Sequence, residues 1–204
     1  MNMRTVYKLF QDQNGNDSGV FLGGGALGEN WPKNPLGENL KLLLTIDNNV
    51  FNERFGEFGL PNGKFTSVFS TYSDDRYFLD DVVYFGDSVE FDYIRKGFTR
   101  ILFTDEPFLK DCEGDGKKSF CLKSYELQDD AFPAFSFFSN KLPNGLNGCE
   151  KLLSEYRFIG QIYSSDIPSK DGGALGLSDA VGYIFINKCI SDDNDAGFFF
   201  VQTA

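Results

Sequence analysis

The segment GKFTSVFSTYS at positions 63–73 decides which fold the chain can adopt. Its side chains alternate along the chain and are rich in β-branched and aromatic residues, which is typical of a half-buried strand. Four further segments have the same character and are bounded by Gly, Asn, Asp or Pro: DDVVYFG at 80–86, TRILFTD at 99–105, VGYIFIN at 181–187 and GFFFVQT at 197–203. We therefore predict a sheet-dominated α+β fold with mainly antiparallel strands.

Helical patterns are few and short. Apolar residues recur at helical spacing in CEKLLSEYRF at 149–158, and weaker helical patterns occur in MRTVYKLFQDQ at 3–13 and NVFNERF at 49–55. Helices are therefore expected to form a minority of the structure.

An internal similarity links the two halves of the chain. A shift of about 116 positions aligns LLLTID at 42–47 with FIGQIY at 158–163, and FGLPNGKFTSVFSTY at 58–72 with LGLSDAVGYIFINK at 175–188. In both halves an apolar strand precedes a loop, a Gly-Leu turn and an aromatic strand. The sequence predicts a single domain over 1–204 with two related sheet-rich repeats, about 20–105 and 119–204.

The charge balance is acidic, with 19 Lys and Arg against 30 Asp and Glu and a net charge of −11. Such a charge disfavours binding to nucleic acid or to an anionic membrane. It would attract a basic protein partner, although an acidic surface also serves simple solubility. The N-terminal segment lacks the apolar run of a signal peptide, and no segment approaches the ~20 apolar residues of a membrane span. We expect a cytoplasmic protein.

The chain contains no histidine, which excludes Ser-His-Asp and Cys-His catalysis and any Cys/His zinc site. The four cysteines, Cys112, Cys121, Cys149 and Cys189, have no Cys-x-x-Cys spacing and are expected to be reduced, with no obligatory disulfide between Cys112 and Cys121. We predict no catalytic residues, no cofactor and no metal. The alternative is an enzyme that uses carboxylates or a cysteine.

The segment FLGGGALGEN at 21–30 matches the dinucleotide pattern G-x-G-x-x-G through Gly23, Gly25 and Gly28. That pattern binds phosphate only where it opens a helix, and two prolines in the following ENWPKNP oppose one. We interpret the segment as a turn at a strand end that directs the chain toward Trp31.

Three acidic strings resemble parts of a calcium loop. DCEGDG at 111–116 has acidic residues at loop positions 1, 3 and 5, but Leu122 occupies position 12, where a bidentate Glu belongs. DQNGND from Asp12 and DDNDAG from Asp192 match less well. All three are expected to be turns.

Two segments are candidates for contact with a partner. The first is an acidic cluster that encloses two aromatic residues: Asp74, Asp75, Tyr77, Phe78, Asp80 and Asp81. Acidic side chains would speed the encounter with a basic partner, and the rings would supply affinity; the alternative is a solvated hairpin tip. The second is AFPAFSFFSN at 131–140, either a strand or an exposed partner-binding patch.

The order of several motifs resembles the YwqG-like family. These motifs are GG, then WP with N-P-x-G-x-x-L, then LLLTID and LPNGKFTSVF, and later GQIYSSD, GLSDAVGYIFIN and FFFVQ. The resemblance covers about 21–72 and 158–204. The chain departs from the family pattern where Leu44-Thr45 replaces Ala-Gln, and where the W-G-D-A-G motif lacks its Trp and has Val181 interposed.

The resemblance implies an α+β fold with two sheet-rich repeats. The family has no settled activity, and its members occur among suspected toxin-immunity genes of bacteria. Together with the acidic charge, this leads us to expect an immunity-type inhibitor that binds and neutralises a bacterial toxin. The alternatives are a carboxylate- or Cys-dependent enzyme and a small-ligand-binding or structural module.

Overall fold

A single curved sheet forms the framework of the protein in the computed structural model. The structure describes residues 3–11, 18–24, 30–108, 118–168 and 173–203. In this part of the chain ten strands pair in the order β10-β9-β8-β7-β1-β6-β2-β3-β4-β5, always antiparallel. The strands are β1 Met3–Gln11, β2 Val20–Leu22, β3 Lys41–Asp47, β4 Phe65–Ser70, β5 Thr99–Thr104, β6 Lys118–Gln128, β7 Phe137–Phe138, β8 Tyr156–Tyr163, β9 Val181–Asn187 and β10 Gly197–Gln202. The predicted sheet-dominated, mainly antiparallel fold is confirmed at this level.

Two short α-helices occur among the described residues: α1 Asn48–Phe55 and α2 Ser88–Ile94. Helix α1 follows β3 directly, and the Asp47 carboxylate caps it by accepting from the amides of Asn49 and Val50 at 3.1 and 3.2 Å. The predicted helical segment at 49–55 is confirmed. Helix α2 was not predicted from the sequence.

The N-terminal segment contradicts the expected helix, because it forms β1 instead. Buried and exposed residues alternate at its start, with Arg4 and Val6 buried. The strand lies in the middle of the sheet, paired with β6 along its whole length and with β7 on its other side. Ladder hydrogen bonds from distant segments therefore override a weak local helical pattern.

Two other predicted elements are also revised. The segment at 80–86 is not a strand: a 3-10 turn spans Leu79–Asp81, and Val83 makes one parallel bridge to Val201. The helical pattern at 149–158 gives only a 3-10 turn at Leu152–Ser154 before β8 begins. The strand segments that became β4, β5, β9 and β10 are confirmed.

The sheet curls until its two edge strands meet. The Thr99 hydroxyl on β5 donates to the carbonyl of Phe199 on β10 at 2.7 Å, and the Ala196 amide donates to the Ile101 carbonyl at 3.0 Å. These bonds satisfy polar groups that an open sheet edge would leave unpaired.

Curling places one face of the sheet inside and the other outside. The inner face carries a continuous apolar core that includes Leu44, Val68, Ile184 and Phe199. Two smaller apolar clusters cover the outer face, one at each half. Trp31 packs on Phe69 at one of them, where its ring nitrogen donates to the Leu40 carbonyl at 2.7 Å.

The second outer cluster lies under α2. Phe158, Phe185 and Phe200 of the sheet pack there with Tyr84 and Ile94. No helix within the described residues is long and apolar enough to cross a membrane.

Candidate protein-binding surface

The predicted acidic cluster divides between surface and interior. We name residues 73–81, which lie after β4 and end with the 3-10 turn at Leu79–Asp81, the acidic loop. Asp74, Asp75 and Asp80 are exposed, and the side chain of Tyr77 is 68% exposed. Phe78 lies in the inner core and Asp81 is only 6% exposed. The loop therefore presents three carboxylates and one aromatic ring to solvent.

Arg76 fastens the acidic loop to the body of the protein. Its guanidinium makes a two-point contact with Glu38, from Nε to Oε1 at 2.8 Å and from Nη2 to Oε2 at 2.6 Å. The same Nη2 lies 2.6 Å from the buried Asp81 carboxylate. We call Glu38, Arg76 and Asp81 the arginine triad. The single positive charge of Arg76 offsets one of the two negative charges of Glu38 and Asp81, and the exposed carboxylates of the loop are those of the other three aspartates.

The triad perturbs the titration of its members. Hydrogen bonds from Arg76 and then from Asn34 lower the pKa of Glu38 to about 2. The same bond to Glu38 raises the pKa of Arg76. Both groups are therefore charged at neutral pH.

The side chain of Asn34 stabilises the turn that contains Glu38. Its side-chain oxygen accepts from the amides of Leu36 and Glu38, both at 3.0 Å. Its side-chain nitrogen donates to Glu38 Oε2 at 2.7 Å and to the Thr71 hydroxyl at 3.3 Å. Because Thr71 directly follows β4, the turn is fixed to the sheet at the base of the acidic loop.

A cleft of about 410 Å³ opens on the outer face of the second half of the sheet. We call it the tyrosine cleft. Tyr163, Val181, Tyr183 and Gln202 are sheet residues that line it, and among the described lining residues only Asp179 is charged. The remaining lining residues come from two loops and the chain end: Phe132, Pro133, Ala134, Asn144, Gly145, Asn147 and Thr203.

Two buried glutamines hold the two loops of the tyrosine cleft. Gln161 Nε2 donates to the carbonyls of Pro133 and Phe135 at 2.8 and 2.9 Å. Gln202 donates to the Asn147 carbonyl at 2.8 Å and accepts from the Asn147 amide at 3.1 Å. The cleft walls are thus set by bonds to the sheet before any ligand arrives.

The predicted aromatic segment at 131–140 divides between a buried strand and an exposed loop. Its second half forms β7, whose two phenylalanines are buried. Its first half is a loop in which Phe132 is 76% exposed at the tyrosine cleft.

Tyr183 lines the tyrosine cleft, and its hydroxyl group takes no part in the hydrogen bonds among the described residues. The residue is 5% exposed, and its hydroxyl has no hydrogen-bond partner among the described residues. Burial, with a smaller effect from Cys149, raises the pKa of Tyr183 to about 12. The phenol is therefore a neutral donor and acceptor at physiological pH.

The acidic loop contacts segments of the chain that carry residues of the tyrosine cleft. Gly176 packs directly against Leu79 and Phe78, and it lies three positions before Asp179. The Val201 amide donates to the Val82 carbonyl at 2.8 Å, which places the end of the loop beside the strand that carries Gln202. The sequence signalled the loop by its charge, but the cleft combines distant segments and has no local signature.

The other sequence candidates have structural roles or lie outside the description. The DCEGDG and DQNGND strings, Cys112, Gly25 and Gly28 fall outside the described residues. In the DDNDAG string, Asp192 caps a 3-10 turn and Asp195 pairs with Arg95 at 2.6 Å. Cys121, Cys149 and Cys189 are free thiols. Among the described residues no group of three or more Cys, Asp and Glu is arranged to hold a metal ion.

The end of β2 is consistent with the expected turn. Gly23 and Gly24 follow the strand with φ of 69° and 81°, a region that favours glycine.

No protein-family model matches the sequence, and no curated protein matches it significantly.

Proposed function

We propose that this protein is a cytoplasmic immunity-type inhibitor that binds and neutralises a basic toxin or effector. One observation carries the proposal: the anchored acidic loop presents Asp74, Asp75 and Asp80 around the exposed ring of Tyr77. None of these three aspartates forms an ion pair with a described residue.

Physical chemistry explains how such a surface would act. Clustered exposed charge raises the association rate with an oppositely charged protein, and the net charge of −11 adds to that attraction. An exposed tyrosine supplies contact area with few rotatable bonds. Because the arginine triad already fixes the loop, less entropy is lost when a partner binds.

Co-expression with the product of the neighbouring gene tests the proposal. A stable complex is expected, and the variant D74N/D75N/D80N should slow its association and flatten the dependence on salt. The control is D129N/D130N, which removes two exposed acids from another loop against the three removed from the acidic loop. No complex, or equal association rates for both variants at low salt, would contradict the proposal.

The tyrosine cleft favours a second candidate, a small-ligand-binding module. Its volume of about 410 Å³ lies within the usual range for ligand sites. A carboxylate-dependent enzyme has less support, because Asp179 is the one acid among the described residues that line this cleft. A screen by thermal shift that finds a stabilising metabolite would favour the module over the inhibitor.

We further infer that the chain is related to the YwqG-like family and contains two related repeats. Support comes from strand pairing: β2, β3 and β4 pair with the same register as β7, β8 and β9 when 116 is added to each residue number. Thus Phe21↔Thr45 becomes Phe137↔Gln161, and Leu42↔Phe69 becomes Phe158↔Phe185.

A break in the strand register also recurs when 116 is added to the residue numbers. The register breaks between Leu42 and Leu44 in the first half, and between Phe158 and Gly160 in the second. Bulges at equivalent positions are a feature that related units share. Nuclear Overhauser effects between strands test this proposal, since a bulge in only one half would contradict it.

A further inference from the structure

We propose that the tyrosine cleft binds a lysine or arginine side chain of the basic partner. The proposal rests on the proposed function and deepens it, because it assigns a pocket to one residue of that partner. Asp179 would meet the cationic group, and the aromatic lining would contact the stem.

Charge in the cleft is uncompensated. Asp179 is exposed, is the only charged lining residue, and makes no ion pair or hydrogen bond through its side chain with any described residue. A carboxylate beside a concave apolar surface attracts a cation more strongly than one that projects into bulk water, because the local dielectric is lower.

Aromatic side chains suit the rest of such a guest. Phe132, Tyr163 and Tyr183 line the cleft, and the ring of Phe132 is largely free to be covered. Lysine and arginine carry apolar stems that pack on rings, and their charged groups are attracted to ring faces.

The hydroxyl of Tyr183 is available to an occupant of the cleft. The residue is 5% exposed overall, and its hydroxyl makes no hydrogen bond with another described residue. An ammonium or guanidinium carries several donors, and one of them would satisfy the phenol oxygen.

The first experiment uses small probes and the whole protein. N-acetyl-L-argininamide and N-acetyl-L-lysinamide are titrated against ¹⁵N-labelled protein, with neutral N-acetyl-L-citrullinamide as the isosteric control. Saturable shifts are expected at the amides of Val181, Tyr183 and Gln202. Citrulline should bind about five- to tenfold more weakly because it loses the ion pair and the cation–π contact.

Variants separate the carboxylate from the phenol. D179N should weaken the arginine probe about fivefold, and Tyr183→Phe should weaken it by removing the hydroxyl while keeping the ring. D130N is the control, since it removes an exposed acid that does not line the cleft. Equal binding of citrulline and arginine, shifts elsewhere on the protein, or full binding by D179N would overturn the proposal.

The result of the probe titration is independent of whether the protein forms a complex with the co-expressed partner. Failure of both cationic probes would refute the cleft assignment even if the co-expressed complex forms. A cleft that binds the probes in a protein that forms no complex would instead refute the inhibitor and leave a binder of free cationic ligands.

Discussion

Removing Arg76 should destabilise the protein because the buried Asp81 carboxylate then lacks its ion-pair partner. In Arg76→Met the stem is retained and the charge is lost, so the change isolates the ion pairs of the arginine triad. The Asp81 side chain is 8% exposed and would lose its partner at 2.6 Å, whereas the Glu38 side chain is 33% exposed and can be hydrated.

The expected loss follows from these two exposures. Breaking a buried pair by removing one member costs about 3–5 kcal/mol, and an exposed pair contributes about 0–1 kcal/mol. Since Arg76 itself is partly exposed, the lower end applies to Asp81, and we expect a total loss of about 3 kcal/mol at pH 7.

Fluorescence-detected urea unfolding measures this loss. The protein has one tryptophan, and Trp31 is buried against Phe69, so its emission reports global unfolding. The double variant Arg76→Met/Asp81→Asn should recover at least half of the loss, because it removes the unpaired buried charge. A loss below about 1 kcal/mol in the single variant, or no recovery in the double variant, would show that Arg76 does not stabilise the fold by pairing with the buried Asp81 carboxylate.

Acid titration provides a second readout of the same triad. The fall in the pKa of Glu38 from 4.5 to about 2 corresponds to about 3 kcal/mol, which we reduce to about 1 kcal/mol because a third of the side chain is exposed and screened. A lowered native pKa stabilises the fold above pH 4.5, and this contribution is lost as the pH falls from 4.5 to about 2. E38Q should lack this pH-dependent component, and an acid limb equal to that of the wild type would contradict the assignment.

Three further predictions concern other parts of the chain. Ultraviolet difference titration should show a phenol that ionises near pH 12 and that is lost in Tyr183→Phe; an unchanged titration curve in that variant would contradict the assignment. Asp47→Ala should lose about 1 kcal/mol in urea unfolding with the cap of α1, against no more than about 0.5 kcal/mol for the exposed control Glu53→Ala, and equal losses would exclude the cap. Gly176→Ala should cost more than Gly63→Ala in thermal unfolding, since both glycines have positive φ but only the first packs against Leu79; equal costs would leave backbone strain as the whole effect.

Strands that alternate strongly could be predicted from the sequence. The segments that form β4, β5, β9 and β10 combine alternation with β-branched or aromatic residues, and their local pattern agrees with their place in the sheet. Strand β1 could not be identified in this way, because its pairing with β6 joins residues more than 100 positions apart.

The sequence predicted only part of the candidate surface, because the rest also depends on contacts between residues distant in the sequence. Charge density in the sequence locates the acidic loop, but the burial of Asp81 depends on Arg76 and on Glu38, which lies 38 positions before Arg76. The tyrosine cleft depends on Gln161 and Gln202, whose bonds to remote loops leave no mark on the local sequence.

Association kinetics with the co-expressed partner test whether the acidic loop attracts a basic protein. Stopped-flow rates for wild type, D74N/D75N/D80N and D129N/D130N are compared between low and physiological ionic strength. A role of the acidic loop in this attraction predicts fast, salt-sensitive association for the wild type and the D129N/D130N control, and a slower rate with a flattened salt dependence for D74N/D75N/D80N. A rate for D74N/D75N/D80N equal to that of the wild type at low salt would contradict it.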